Sequence, residues 1–279
     1  VPGSIEGRVD LARILAVTNQ KGGVGKTTTA VNLSACLAEC AQRVLLIDLD
    51  PQGNATTGCG VVKREAMPTV YQILIGRSTM ADTRMRTDFG FDVLPANREL
   101  AGAEIDLIDI EQREYRLRDS LADIRGSYDF ILLDCPPALN MLTVNGLVAA
   151  DSVMIPMQCE YYALEGLTDL VATLKKVRAK LNPRLEIEGL LRTMFDPRST
   201  LTQHVSRELE GHFGDKVYRT IIPRNVRLAE APSYGKPVIA FDRSSKGAQA
   251  YLLLAQEILD RCADKPGTAA ATAAPGVRP

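Results

Sequence analysis

Little in this 279-residue sequence marks it for a membrane, a metal centre or a polyanion, and each absence excludes something. No run approaches the roughly 18–20 uninterrupted apolar residues of a helical membrane span. The first residues lack a charged-then-apolar secretory pattern, so a cytoplasmic protein is expected. Lys plus Arg number 33 against 34 acidic residues, a net charge of −1, so no global basic field draws DNA. Any DNA binding must come from a local patch, for instance one doubled by dimerisation. The six cysteines, at 36, 40, 59, 135, 159 and 262, form no CxxC pair and no zinc-like spacing with histidine. Buried thiols in a reducing cytosol account for them. The two histidines, His204 and His212, share one helical stretch with no carboxylate motif and read as surface or packing residues. Composition is otherwise that of a globular protein, 46% hydrophobic and 24% charged, ample for a core.

Apolar strand-like runs alternate with helical patterns along the chain. Strands are predicted at Ile14–Thr18, Val44–Ile47, Phe91–Leu94, Phe130–Leu133, Ser152–Ile155, Leu190–Met194 and Val217–Ile221. Several are continuously apolar, as strands buried on both faces of a parallel sheet must be. Helical stretches fall between them, at Thr27–Cys40, Glu111–Arg125, Ala163–Leu181 and Lys246–Cys262. The fold class this predicts is α/β, a doubly wound and mainly parallel sheet flanked by helices. A single domain is expected over 12–263, without a linker or an internal repeat. Residues 1–11 read as a flexible arm or an expression tag, since Ile5-Glu6-Gly7-Arg8 has the form of a protease-cleavage site. Residues 264–279, of Ala, Pro, Gly and Thr, are expected to be a disordered tail.

The loop after the first strand carries the chemistry. Gln20-Lys21-Gly22-Gly23-Val24-Gly25-Lys26-Thr27-Thr28 stands between a strand and a helix, where a P-loop belongs. Gly22, Gly23 and Gly25 allow the turns that aim successive N–H groups at phosphate oxygens. The helix N-terminus adds its positive dipole end. Lys26 can reach the β/γ-phosphates, and the Thr27 hydroxyl can ligate Mg²⁺. ATP and Mg²⁺ are therefore the expected cofactors. The ordinary pattern GxxxxGK[ST] has glycine where this chain has Gln20, and a second lysine, Lys21, follows at once. Such a lysine could reach its own nucleotide or one held by a facing subunit. Two acidic segments follow buried strands, Asp48-Leu49-Asp50 and Asp134-Cys135. Ligands of parallel sheets sit beyond the carboxyl ends of strands, so these acids should converge on the P-loop, holding metal or positioning water.

Four segments together carry a family resemblance: Lys21 to Thr28, Leu46 to Asn54, Ile131 to Pro137, and Ile222-Pro-Arg-Asn-Val-Arg-Leu-Ala-Glu-Ala-Pro232. They closely resemble the deviant Walker A ATPases of the ParA/Soj chromosome- and plasmid-partitioning family, over about Ala12 to Cys262. The resemblance implies a homodimer sandwiching ATP, with Lys21 crossing to the partner's phosphates. It implies phosphate contacts from Gly22, Gly23, Val24, Gly25, Lys26, Thr27 and Thr28, and magnesium at Thr27 supported by Asp48 and Asp134. Asp50 would activate water, and Met194, Pro223 and Asn225 would line the adenine. Arg198 and Arg227 match positions that contact DNA without sequence preference, and Arg192, Arg219 and Arg224 lie in the same arginine-bearing segments. Implied partners are a ParB-like centromere-binding protein and non-specific DNA, with a nucleoid-associated location and no membrane. One departure is that the first long helix ends Glu39-Cys40-Ala41-Gln42, where relatives usually carry a glycine C-cap.

Other readings lack their markers. A MinD-like membrane ATPase would end in a basic amphipathic helix, but Lys246–Cys262 has mixed charge. An iron–sulfur relative would need paired interface cysteines, and Cys135 stands alone. A tyrosine autokinase would carry a Tyr-rich tail. A metabolic ATP-dependent ligase should bring further substrate-binding motifs, of which 12–262 shows none. A nucleotide-gated binding module would differ from an ATPase in its turnover.

Overall fold

The computed structural model describes residues 11–264; the arm and tail expected at the two ends lie outside the described residues, save for Leu11 and Asp264. Eight strands form one sheet in the order β3-β4-β2-β5-β1-β6-β7-β8. They span Arg13–Val17 (β1), Val44–Asp48 (β2), Met85–Arg86 (β3), Asp92–Leu94 (β4), Phe130–Asp134 (β5), Ser152–Gln158 (β6), Glu186–Phe195 (β7) and Val217–Pro223 (β8). Every pairing is parallel except β3 with β4. All seven expected strands are present. The two-residue β3 has no pattern long enough to announce it.

The continuous apolar runs do what two-sided burial requires. Along β1, Ile14 and Ala16 enter one core while Leu15 and Val17 enter the other. Leu45 and Ile47 of β2 share the first of these cores, and Val44 and Leu46 the second. Removing any one of the larger of these side chains would cost about 2–5 kcal/mol, because little can collapse into the space. The edge strand β8 is blunted by one carboxylate. Glu257, from the Lys246–Asp264 helix, accepts hydrogen bonds from Arg219 N and Thr220 N, both at 2.8 Å. Donors that could template another strand are thereby occupied.

The helices follow the expected pattern with two differences. Helix α1 spans Lys26–Glu39, and further long helices span Ala163–Lys180, Thr200–Phe213 and Lys246–Asp264. The stretch expected as one helix over Glu111–Arg125 is instead broken into a 3₁₀ turn at Arg113–Tyr115, a short helix Arg116–Leu121 and a second 3₁₀ turn at Arg125–Ser127. After α1, the left-handed C-cap position that glycine usually fills is taken by Ala41 at φ 60°. Its N–H donates to Ala38 O, and Gln42 N donates to Leu37 O. The capping bonds are thus made despite the Cβ, at a backbone cost of about 1–2 kcal/mol.

Central β1 lies between β5 and β6, so the chain goes to opposite sides of β1 as it enters β5 and β6. That reversal opens a crevice at the carboxyl ends of the strands. The motif segments that follow β1, β2 and β5 lie beside it, while Ile222 to Pro232 leaves the edge strand β8.

Candidate nucleotide site

Beyond Val17 the chain turns sharply into α1. Gly23 and Gly25 have φ of 73° and 88°, a left-handed conformation that side chains resist. A Cβ at Gly22 or Gly23 would meet nothing within 4 Å, so the loop presents bare backbone to open space. Neighbouring strands fasten it from behind. Thr193 Oγ1, near the end of β7, donates to Val24 O at 2.8 Å. Asn19 Nδ2 donates to Pro156 O of β6 at 2.9 Å. Lys26 is nearly buried, and its Nζ donates to Lys21 O at 3.1 Å. Burial lowers the Lys26 pKa from the ordinary lysine value, while Asp134 and Asp50 act in the opposite direction. This is a preformed anion cradle with a partly desolvated cation at its base.

The two strand-end acids sit side by side, since Asp48 of β2 is in register with Asp134 of β5. Both are fully buried, yet their surroundings differ. Asp48 Oδ2 accepts from Thr56 N at 2.8 Å and from Thr56 Oγ1 at 2.7 Å, and Asp48 Oδ1 accepts from Asp50 N at 3.1 Å. Burial raises its pKa to about 6, with the Thr56 and Asp50 hydrogen bonds opposing. Asp134 has no hydrogen-bond partner of good geometry on either oxygen. Burial, then the Asp48 charge, hold its carboxyl well above the usual range, and the nearby Thr27 hydroxyl and Lys26 offset only part of this. A buried carboxylate without partners is costly, and a cation is what would relieve it. The Asp134 and Thr27 oxygens therefore fit a divalent metal. Asp48 is already committed to Thr56 and the Asp50 backbone, so it fixes the loop between them. Among the described residues, no group of three His, Cys, Asp or Glu could hold a metal on its own, so phosphate and water oxygens would complete the shell.

Asp50 stands half-buried past the end of β2, where its carbonyl accepts from Gly53 N at 2.9 Å and Oδ1 accepts from Gln52 N at 2.9 Å. Gly53, at φ 62°, starts a short helix, Asn54–Gly58, and a Cβ there would lie 2.6 Å from Ala96 O. This turn can be made only by glycine.

On the other side of the loop, Met194, Pro223 and Asn225 line one cavity of about 190 Å³ together with Gly25, Thr28 and Tyr251. The three residues expected around adenine are thus brought together against α1. Met194 adopts φ 47°, a strained conformation for a non-glycine residue, and such strain gathers at functional sites. Sequence reasoning missed Thr193 and Tyr251, whose hydroxyl lies 3.0 Å from Thr29 Oγ1. Neither belongs to a motif; both arrive through tertiary packing. A larger cleft of about 730 Å³, lined by Glu188, Arg192, Glu210 and Arg261 among others, shares no residue with this site. Within it Arg192 pairs with Glu210, while Glu188 pairs with Arg13 and Arg261 with Glu257.

The arginines expected to face DNA divide sharply. Arg192 is buried, and its guanidinium donates to Ser206, Glu210 and Tyr218 O. It is an internal brace rather than a surface cation, which corrects the grouping by sequence segment. Arg198 is exposed but donates twice to Asp196, at 2.9 and 2.8 Å, and holds that carboxyl down at about 2. Arg227 donates to Glu230 at 2.8 Å and lies 3.2 Å from Asp242. Arg219 is largely exposed, 3.9 Å from Glu257.

A family model described as an AAA domain matches residues 12–187. The chain is 53% identical over 261 residues to the chromosome partitioning protein ParA of Caulobacter vibrioides, covering 92% of this chain and 98% of that protein. It is 53% identical over 249 residues to the sporulation initiation inhibitor protein Soj of Bacillus subtilis, covering 89% and 98%. Among solved structures, a cobyrinic acid a,c-diamide synthase from Mycobacterium smegmatis with bound ATP analog and magnesium superposes with a TM-score of 0.80 at 38% identity, covering 91% of this chain and 97% of that one.

Proposed function

This chain belongs to the ParA/Soj family of chromosome-partitioning ATPases, and from that premise we propose that it is an ATP-gated DNA-segregation switch. It dimerises around Mg-ATP, binds DNA without sequence preference, and is reset by slow hydrolysis that a ParB-like partner stimulates. The observation that carries the nucleotide part is Asp134, a buried carboxylate without a hydrogen bond of good geometry, behind a glycine cradle and a desolvated lysine.

Backbone N–H groups from Gly22 to Thr28 surround the phosphates, and Lys26 exchanges the Lys21 carbonyl for a phosphate oxygen. Thr27 and Asp134 would hold magnesium, which would neutralise charge on the phosphate oxygens. Asp48 keeps Asp50 in place through its backbone N–H. Asp50 accepts a proton from water as that water attacks the γ-phosphorus, the bond to the ADP oxygen breaks, and phosphate leaves. Met194, Pro223 and Asn225 enclose the adenine. Lys21 reaches across a two-fold axis to the partner's nucleotide, where such a cation is worth on the order of 10³ or more in rate. Arg198 and Arg227 exchange their own carboxylates for DNA phosphates.

Sedimentation with Mg-ATP and Mg-ADP tests this reading. The wild type should dimerise with ATP only. Lys21→Ala should bind nucleotide yet stay monomeric and inactive, and Lys26→Ala should lose nucleotide binding itself. A stable ATP dimer of Lys21→Ala would remove the cross-subunit role.

The likeness to a cobyrinic acid a,c-diamide synthase supports a second reading, an ATP-dependent ligase. Turnover raised by cobyrinic acid with an amide-nitrogen donor, and indifferent to DNA, would establish it in place of the first.

A further inference from the structure

Nothing in the shape of the phosphate loop explains Lys21, yet its side chain is held in a definite place. Lys21 Nζ donates to Glu160 Oε2 at 2.6 Å, and the two side chains are 47% and 50% exposed. Ion pairs this open to water add little to folding stability. What the pair fixes is the direction of the Lys21 side chain.

Glu160 reaches Lys21 through backbone that is tied to the phosphate loop at several points. Glu160 N donates to Gln158 O, and Glu160 O accepts from Ala163 N, both at 3.0 Å, in the turn that opens the Ala163–Lys180 helix. Gln158 Nε2 donates to Gly23 O at 3.5 Å. Asn19 Oδ1 accepts from Lys21 N at 3.0 Å, while Asn19 Nδ2 holds Pro156 O. The end of β6 and the phosphate loop are thus one fastened unit, and the carboxylate faces the lysine as a consequence.

We propose that Glu160 is a positioning residue that restrains Lys21 within its own subunit and so sets the ATP concentration at which the dimer forms. The inference rests on the cross-subunit reading of Lys21. On this reading the ammonium turns away from Glu160 to reach a partner's phosphates, so each dimer breaks two such pairs. An exposed pair suits a restraint of this kind, because it is weak enough to release and a triphosphate offers several negative charges against one on the carboxylate. The same turn carries Tyr161 and Tyr162, which are 75% and 69% exposed with ring centroids 5.0 Å apart. A second copy docking over Lys21 would cover those rings.

The test is an Mg-ATP titration of dimer formation, read by sedimentation, for wild type, Glu160→Gln, Lys21→Ala and the double variant. Glu160→Gln keeps the shape and removes the charge. Its half-maximal ATP concentration should fall by roughly two- to five-fold for each pair released, the range open to an exposed ion pair. The double variant should behave as Lys21→Ala does. A purely structural role would instead lower the melting temperature and leave the ATP requirement unmoved. If Glu160→Gln proves unfolded by circular dichroism, Glu160→Ala carries the same expectation. A folded Glu160 variant that needs as much ATP as wild type, or more, overturns the restraint even if Lys21→Ala stays monomeric. Normal dimerisation of Lys21→Ala would overturn the cross-subunit reading itself.

Discussion

Both the carboxylates behind the phosphate loop and the arginines beyond β7 and β8 are charges placed near strand ends, but their surroundings are opposite. Asp48 and Asp134 are fully buried, and Asp134 makes no hydrogen bond of good geometry, with only the nearby Thr27 hydroxyl and Lys26 to offset its charge. Arg198 and Arg227 stand in solvent, each already answered by a carboxylate of its own subunit. In the first region the protein is electrostatically incomplete, so its structure calls for a cation and a phosphate. In the second, exposed pairs are close to neutral in energy, and they neither demand nor forbid a polyanion. A ligand can therefore be argued from geometry at the phosphate loop. At the arginines the geometry is complete without one.

The sharpest break would come at Asp50, which stands just outside the buried pair. Asp50→Ala should still bind ATP and dimerise, while steady-state turnover drops roughly 10²- to 10⁴-fold, as for loss of a positioned base. Near-normal phosphate release by that variant would take Asp50 out of the mechanism.

Stability against pH probes the incompleteness itself. Burial raises the Asp48 pKa from 3.8 to about 6 and lifts Asp134 in the same direction. Between those values the folded protein binds more protons than the unfolded chain, so this pair's contribution to stability declines as pH rises through the window. In nucleotide-free, metal-free protein, Asp134→Asn should be more stable than wild type by about 1–3 kcal/mol at pH 7. The difference should shrink towards pH 4. Denaturant titrations at both pH values check the sign, and a variant less stable than wild type at pH 7 would show that Asp134 is satisfied without metal.

The arginine side predicts smaller effects. Arg198→Ala and Arg227→Ala should each weaken DNA binding uniformly across sequences and flatten the salt dependence by about one or two units, because a dimer loses two contacts. Asp196→Asn should do the reverse. Freed from a carboxylate held at about 2, Arg198 becomes available to phosphate, and affinity should rise by roughly two- to five-fold. Gel-shift titrations with ATP and with ADP read both. Unchanged affinity in all three variants would leave a nucleotide switch without this DNA surface.

The strands were legible because two-sided burial writes itself as uninterrupted apolar runs, and the runs at 14–18, 44–47 and 130–133 match β1, β2 and β5 to within one residue at each end. The phosphate loop was legible because its glycines, lysine and threonines are contiguous, so one local segment contains the whole cradle. The short helices around residues 70–121 were not, since each runs only a few residues and is held by tertiary packing that no periodicity records. Nor could local pattern separate Arg192 from Arg198, six residues apart, when one is walled in by the Thr200–Phe213 helix and β8 and the other faces water. Sequence alone determined which residues could carry charge to phosphate. Only the tertiary structure decided which charges go unanswered, because pairing depends on residues such as Glu160, Thr56 and Tyr218 that are brought near from elsewhere in the chain.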